Sequence, residues 1–372
     1  MTEAFRFAAK FALLRTRKFW EMLSNPSWKK FGRKKILFCG NTFKKITAFA
    51  AENAMNTTSS IFNERQINCT ILGGRRSEKK ANLNVAAILL NSGNSYLRLQ
   101  NLENLTKCGF EKIVSVENDS KNFNLDDLLQ NFPEVKFVIP LEKAADGDLI
   151  NLAMAEIDSP CALVLRDSIR ITQNILTAQL SENLAAQNVF CIVPRIFAQD
   201  KTAVPIKFIP GVKKSVLNIE SDSQISDGEA TLYPFDFFGF YNTKKFKRLG
   251  GFDYAIKNPY WQNLDFAFRA WLWGERVKIS TALSFSYAEE IPLVDSTPDI
   301  SQLRFFLKNM APVMKDGRAD LPFSKFFSFK ARSSCGIFEA FRQFSSARNW
   351  VRENERRFLF DAFKLLNDWG KI

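Results

Sequence analysis

From residue 84 the chain alternates short apolar runs with longer segments whose apolar residues recur at three- and four-residue steps. VAAILLN, ending at Asn91, is a continuous apolar run, the pattern of a parallel strand buried on both faces. A helix is expected over 95–108, with Leu97, Leu102 and Leu105 inward. The strand EKIVSVEND ends at Glu117-Asn118-Asp119-Ser120, a helix at 124–131 leads to strand VKFVIP at 135–140, and a helix at 146–157 leads to CALVLRDS at 161–168. This β-α alternation predicts an α/β protein with an open, mostly parallel sheet and flanking helices. Strand-like segments follow at 189–209, then a polar loop at 220–230 expected to be mobile, and a strand PFDFFGFYN at 234–242. From about 300, SQLRFFLKNMAPV, IFEAFRQFSSARNWV and RRFLFDAFKLLNDW carry helical spacing.

Upstream, residues 1–33 read as a basic helix and a turn, with Phe7, Phe11 and Leu14 on one face and Arg6, Lys10 and Arg17 beside it. Such a face suits docking on an anionic membrane surface or packing on the core with its basic side in water. Lys34 to Gly40 predicts a short strand, 42–55 a helix and 67–72 a second strand, together a small β-α-β-like extension. The polar stretch 73–82 reads as a linker. Three regions are therefore expected: a basic N-terminal extension at 1–80, the α/β domain at 84–300 and a helical C-terminal extension at 301–372.

Composition narrows the chemistry. In 372 residues, 46% are hydrophobic and 24% charged, as in a globular protein. Histidine is absent, which excludes Ser-His-Asp and Cys-His catalysis and His-ligated metals. None of the six cysteines forms a C-x-x-C pair, so a zinc site is not expected and the usage fits a reducing cytosol. Lys10, Arg15, Arg17 and Lys18 interrupt any secretory h-region, and no uncharged run is long enough to span a bilayer. The net charge of +13 is uneven. Residues 1–80 hold 17 basic and 5 acidic side chains, 81–300 hold 21 and 27, and 301–372 hold 14 and 7. An acidic middle lies between two basic, aromatic ends.

One segment goes beyond fold class. LGGFDYAIKNPYWQNLDFAFRAWLWGERV, from Leu249 to Val277, opens on a Gly-Gly-Phe-Asp turn and enters an amphipathic helix with Leu264, Asp265, Phe268 and Arg269. With NVAAILLNSGN, IVSVENDSKN, CALVLRDSIRI and PFDFFGFYNTKKFKRLGGFD in that order, residues 84–300 resemble the GT-A domain of family 2 glycosyltransferases. The resemblance implies a nucleotide-diphosphate sugar as donor, bound at the carboxyl ends of the strands, and a glycan or lipid-linked acceptor. Asn91, at the end of the opening strand, is with Glu117, Asp119, Arg166 and Asp167 a candidate for substrate binding. Glu117, or Asp119 beside it, would accept hydrogen bonds from the base, unless the stretch is a solvated turn.

Two departures stand inside that resemblance. The family's D-x-D holds Mg²⁺ or Mn²⁺ against the diphosphate, and here it reads Arg166-Asp167-Ser168. One carboxylate beside a cation supports a divalent metal poorly. Arg166 would either pair with phosphate oxygens in place of the ion or form a surface turn with Asp167. The family's acidic pair before the final helix, source of the general base, reads Gln262-Asn263, and an amide takes up no proton. Asp265 and Asp253 are the remaining candidates for the base, each with a cap or turn role as the alternative, and Asn263 is a substrate-contact candidate. Trp261, Trp271 and Trp273 are candidates for stacking on a sugar or for lining the core, with core expected for two of the three and Trp261 taken as the substrate contact.

Three functions are consistent with this pattern. The first is a glycosyltransferase of cell-envelope glycan synthesis, cytoplasmic and peripheral on the inner membrane face. The second is a GT-A-like binding or scaffold protein without catalysis. The third, a nucleic-acid-binding protein, has the charge but no recognition motif.

Overall fold

The computed structural model describes residues 67–75, 81–91, 96–117, 125–213 and 216–371. All belong to the unit Thr58–Ile372. The expected elements at 1–33, Lys34 to Gly40 and 42–55, and the candidate Asp119, lie outside the described residues.

An eight-stranded sheet organises the fold. Its strands are β1 (Cys69–Gly73), β2 (Leu83–Asn91), β3 (Phe110–Glu117), β4 (Lys136–Pro140), β5 (Cys161–Arg166), β6 (Cys191–Phe197), β9 (Gly239–Asn242) and β10 (Val277–Ser286). A separate hairpin joins β7 (Lys207–Lys213) to β8 (Val216–Asp222). The strand order is β1-β4-β3-β2-β5-β9-β6-β10. β2, β3, β4 and β5 run parallel, as do β6 and β10, and β9 lies antiparallel between β5 and β6. The central strand β2 is buried at every position but Asn84, which is why its sequence shows no alternation.

The connecting helices are α1 (Arg98–Lys107), α2 (Leu125–Asn131), α3 (Asp146–Ala155), α4 (Ala178–Ala186) and α5 (Thr243–Leu249). Gly250 ends α5 in the left-handed region at φ 90°, with Gly251 following at φ 67°, so the Gly-Gly pair serves as the helix stop. The long helix α6 (Pro259–Leu272) then begins with the Asn258 side chain accepting from the Trp261 amide at 3.2 Å. Every residue of α6 from Trp261 onward is buried. Phe266 alone packs edge-to-face on Phe190, Phe246 and Phe252, with centroids 5.0, 4.9 and 4.5 Å away.

The C-terminal extension explains that all-round burial. It comprises α7 (Ile300–Phe305), a π-helical turn over Phe306–Met310, a hairpin of β11 (Val313–Lys315) and β12 (Arg318–Asp320), and helices α8 (Lys325–Arg332), α9 (Ile337–Glu353) and α10 (Ala362–Asn367). α7, the π turn and α10 pack on α6. Among the described residues no helix is long and apolar enough to cross a membrane.

Three local expectations change. The strand expected in a separate extension is β1, which pairs antiparallel with β4 as the sheet edge. PFDFFGFYN is not one strand: Asp236 and Phe237 sit at φ 47° and 64° in a turn, and only Gly239–Asn242 pairs. The loop at 220–230 is tied down. Asp227 accepts from the Ser280 hydroxyl and the Thr281 amide, and Glu229 from the Ser226 amide and Lys207. Its polar side chains serve as internal acceptors, which composition does not distinguish from solvation.

Candidate functional site at the carboxyl edge of the sheet

The chain fills one side of β2 with β3 and β4, then crosses to the other side with β5. Such a reversal leaves a crevice at the carboxyl ends of the strands. Asn91, Glu117 and Arg166 end the three neighbouring strands β2, β3 and β5, and Asp167 follows directly, its amide donating to Leu90 O at 3.0 Å. The structure therefore brings four of the candidates together.

Glu117 is fully buried. Oε2 accepts from Asn91 Nδ2 at 2.9 Å and pairs with Arg98 at 2.7 Å, while Oε1 accepts from the Ser115 hydroxyl at 2.7 Å. Burial pushes its carboxyl up, against the pull of Arg98. Asn91 and Arg98 thus act first as partners of Glu117 and fix its orientation.

Arg166 occupies the first position of the altered D-x-D, and its guanidinium is shared. Nη2 pairs with Asp146 and Nε with Asp236, both at 2.8 Å. Asp236 also accepts from the Tyr287 hydroxyl at 2.9 Å, and the Phe237 ring lies 5.8 Å from the guanidinium carbon. Burial works against the Arg166 charge, but Asp236 and Asp146 more than offset this and hold its pKa above the usual value. The guanidinium neutralises both carboxylates, which are therefore not free as hard ligands for a divalent cation. Among the described residues no cluster of three metal-ligating side chains assembles. The residues present do not fit Mg²⁺ or Mn²⁺.

Both candidate bases lie deep in one ionic network. Lys308 Nζ, fully buried on the π turn, reaches Asp253 Oδ2 at 2.8 Å and both Asp265 oxygens at 3.0 Å. Arg304 adds a contact to Asp253 at 2.7 Å, while Arg269 and Asn309 donate to Asp265 at 3.2 and 2.7 Å. Arg269 also donates to Gly251 O. Burial alone would raise Asp253, but Lys308 and Arg304 reverse it and hold the carboxyl well below its ordinary range. Asp253 so held has little proton affinity, and at 1% exposure for Asp253 and 0% for Asp265 neither carboxylate has access to an acceptor hydroxyl.

The amide pair is internal too. Gln262 and Asn263 lie inside α6, not before it. Gln262 donates to Asp148 Oδ1 at 3.1 Å and to Asp253 O at 3.2 Å, and accepts from the Gly147 amide at 2.9 Å. Asn263 donates to Pro234 O at 2.6 Å. Trp261 is buried, with its indole N–H on Thr297 O at 3.0 Å, and it lines a cavity of about 530 Å³ with Tyr260, Phe305 and Phe329.

Gly147 marks how closely α3 and α6 approach. A Cβ there would lie 2.6 Å from both Gln262 Oε1 and the Phe252 ring. Gly147→Ala is therefore expected to destabilise the fold by about 1–3 kcal/mol, although Ala favours helices. An unchanged urea midpoint would contradict it.

Asp146, Asp236, Tyr287, Arg304 and Lys308 were not singled out by sequence reasoning. Only Lys308 carried a signal: it falls on the same helical stripe as Ser301 and Phe305, a buried position for a charge.

The fold is GT-A-like, an assignment that rests on the mostly parallel sheet, the strand reversal beside β2 and the order of motifs along it. No protein-family model matches the chain, and no curated protein matches it. Solved glycosyltransferase structures are similar to it. TarS residues 1–349 from S. aureus with UDP-GlcNAc is 11% identical, with a TM-score of 0.43 over 73% of each chain. GalNAc-T7 with UDP, GalNAc and Mn²⁺ is 12% identical, with a TM-score of 0.48 over 88% of this chain and 66% of that one. The mannosyltransferase PcManGT from Pyrobaculum calidifontis, with GDP-Man and Mn²⁺, is 12% identical at a TM-score of 0.40, covering 78% and 80%.

Proposed function

We propose that the protein is a glycosyltransferase-like binding protein, in which the GT-A crevice receives a nucleotide-diphosphate sugar or the glycan of a cell-envelope precursor without metal-assisted transfer. The observation that carries this reading is the double internal neutralisation: Arg166 holds Asp146 and Asp236, and Lys308 holds Asp253 and Asp265. The groups that would bind a metal and remove a proton are committed to structural ion pairs. The basic ends favour work at the anionic, cytoplasmic face of a membrane, where a lipid-linked glycan would be met.

A second reading, metal-independent transfer, is favoured by one observation. The side chains of Asp146 and Asp236 keep 23% and 11% exposure beside Arg166, so a carboxylate remains at the crevice. Melting curves with UDP or GDP, run beside assays of UDP- and GDP-sugar hydrolysis with and without Mn²⁺, separate the two. A nucleotide is expected to raise Tm with no sugar released above the protein-free control. Sugar release without metal would establish the second reading, and Mn²⁺-dependent release would overturn both.

A further inference from the structure

Helices α8 and α9 present a face that the core does not account for. Around buried Phe326 stand Phe323, Phe327 and Phe341, with ring centroids 5.5, 5.6 and 5.9 Å away. These three rings are exposed. Ile337 and Phe338, four and three residues before Phe341 and so on the same side of α9, are exposed as well, Phe338 at 90%. Five bulky apolar side chains in contiguous contact with water mark an interaction surface.

Charge selects what covers it. From Leu321 to the end of α9 the chain carries six basic side chains, Lys325, Lys330, Arg332, Arg342, Arg348 and Arg352, and two acids, Glu339 and Glu353. Glu339 is already paired with Arg342 at 2.8 Å. A second copy of the chain would set these cations against themselves. Residues 1–80, with 17 basic and 5 acidic side chains, carry the same excess and offer the face no complementary charge. The cover is anionic. At its exposure Phe338 projects from the helix and does not line a groove, so the cover must yield around it. Aromatic rings beside Lys and Arg on a helical surface are what a bilayer interface accepts, rings at the acyl boundary and cations among headgroup phosphates.

We propose that the α8–α9 face docks the protein onto an anionic lipid bilayer. Phe327, Phe338 and Phe341 enter the interface, and Lys325, Lys330 and Arg332 meet the phosphates. The proposal rests on the membrane-face reading above and adds which surface makes the contact.

Full-length protein sedimented with phosphatidylcholine vesicles, with and without phosphatidylglycerol, tests it. The wild type is expected to partition onto the phosphatidylglycerol vesicles only. Phe327→Ser/Phe338→Ser/Phe341→Ser is expected to lower that partition roughly tenfold or more while Tm holds. If the triple variant melts early, Lys325→Glu/Arg332→Glu, which alters only exposed side chains, is read in its place and is expected to lose binding likewise. Wild-type binding that survives the substitutions overturns the proposal and leaves the membrane reading standing, with another surface responsible. No wild-type binding to any vesicle overturns both and points to an acidic protein partner. A wild-type dimer in sedimentation velocity that the triple variant loses assigns the face to a second copy, which also overturns it.

Discussion

Lys308→Met is expected to destabilise the protein by about 3–5 kcal/mol at neutral pH, the cost of removing one partner from a buried ion pair. The methionine fills most of the lysine's volume and keeps a contact with the Trp350 ring, which now lies 4.5 Å from the ammonium. The loss is therefore electrostatic. Asp253 and Asp265 stay buried, and Arg304, Arg269 and Asn309 compensate them only in part. Denaturant unfolding of Lys308→Met, Asp265→Asn and the double variant checks the cause. The double variant is expected to cost less than the two single costs added, because it also removes a charge that Lys308 balanced. Strict additivity would show that the network does not act as a unit.

The same network gives stability a pH dependence whose sign follows from Asp253. Its folded carboxyl is held below the unfolded value by Lys308 and Arg304. A depressed acid contributes stability that is fully present above about pH 4 and is lost as pH falls towards the folded value. In Lys308→Met, Asp253 loses the stronger of the two cations that hold it ionised and favours its neutral form more. The gap between variant and wild type is expected to narrow on going from neutral to mildly acidic solution.

These residues also show what the amino-acid order displays and what it withholds. The buried strand VAAILLN and the Gly-Gly-Phe-Asp turn that opens at Gly250 are local devices, legible because each is decided within a few residues. The mostly parallel sheet followed from the β-α alternation. The commitments of the charged residues did not, because they are made across distance: Lys308 lies 55 residues from Asp253 and 43 from Asp265. Motif reading therefore took Asp253 and Asp265 as available acids, when a segment beyond the GT-A-like region supplies their counter-charge. Asp236 escaped notice for another reason. PFDFFGFYN reads as a strand, yet its backbone turns left-handed at Asp236 and Phe237, which aims the carboxylate at Arg166.

Arg166→Ala is the second substitution expected to act strongly, and it reads the altered D-x-D directly. It leaves Asp146 and Asp236 facing each other without the guanidinium that holds both at 2.8 Å. The expected cost is about 2–4 kcal/mol, below that of Lys308→Met because the site is partly open to water. If Arg166 serves the carboxylates, the rise in Tm with UDP or GDP persists in the variant. If the guanidinium instead grips the diphosphate, that rise disappears. A third measurement separates the cation from the residue. Two carboxylates freed at the carboxyl edge are hard oxygen donors of the type Mg²⁺ and Mn²⁺ take. Mn²⁺ is thus expected to restore part of the Tm of Arg166→Ala and to leave the wild type unchanged. An equal effect of Mn²⁺ on both proteins would place metal binding elsewhere and defeat the view that Arg166 withholds these carboxylates from an ion.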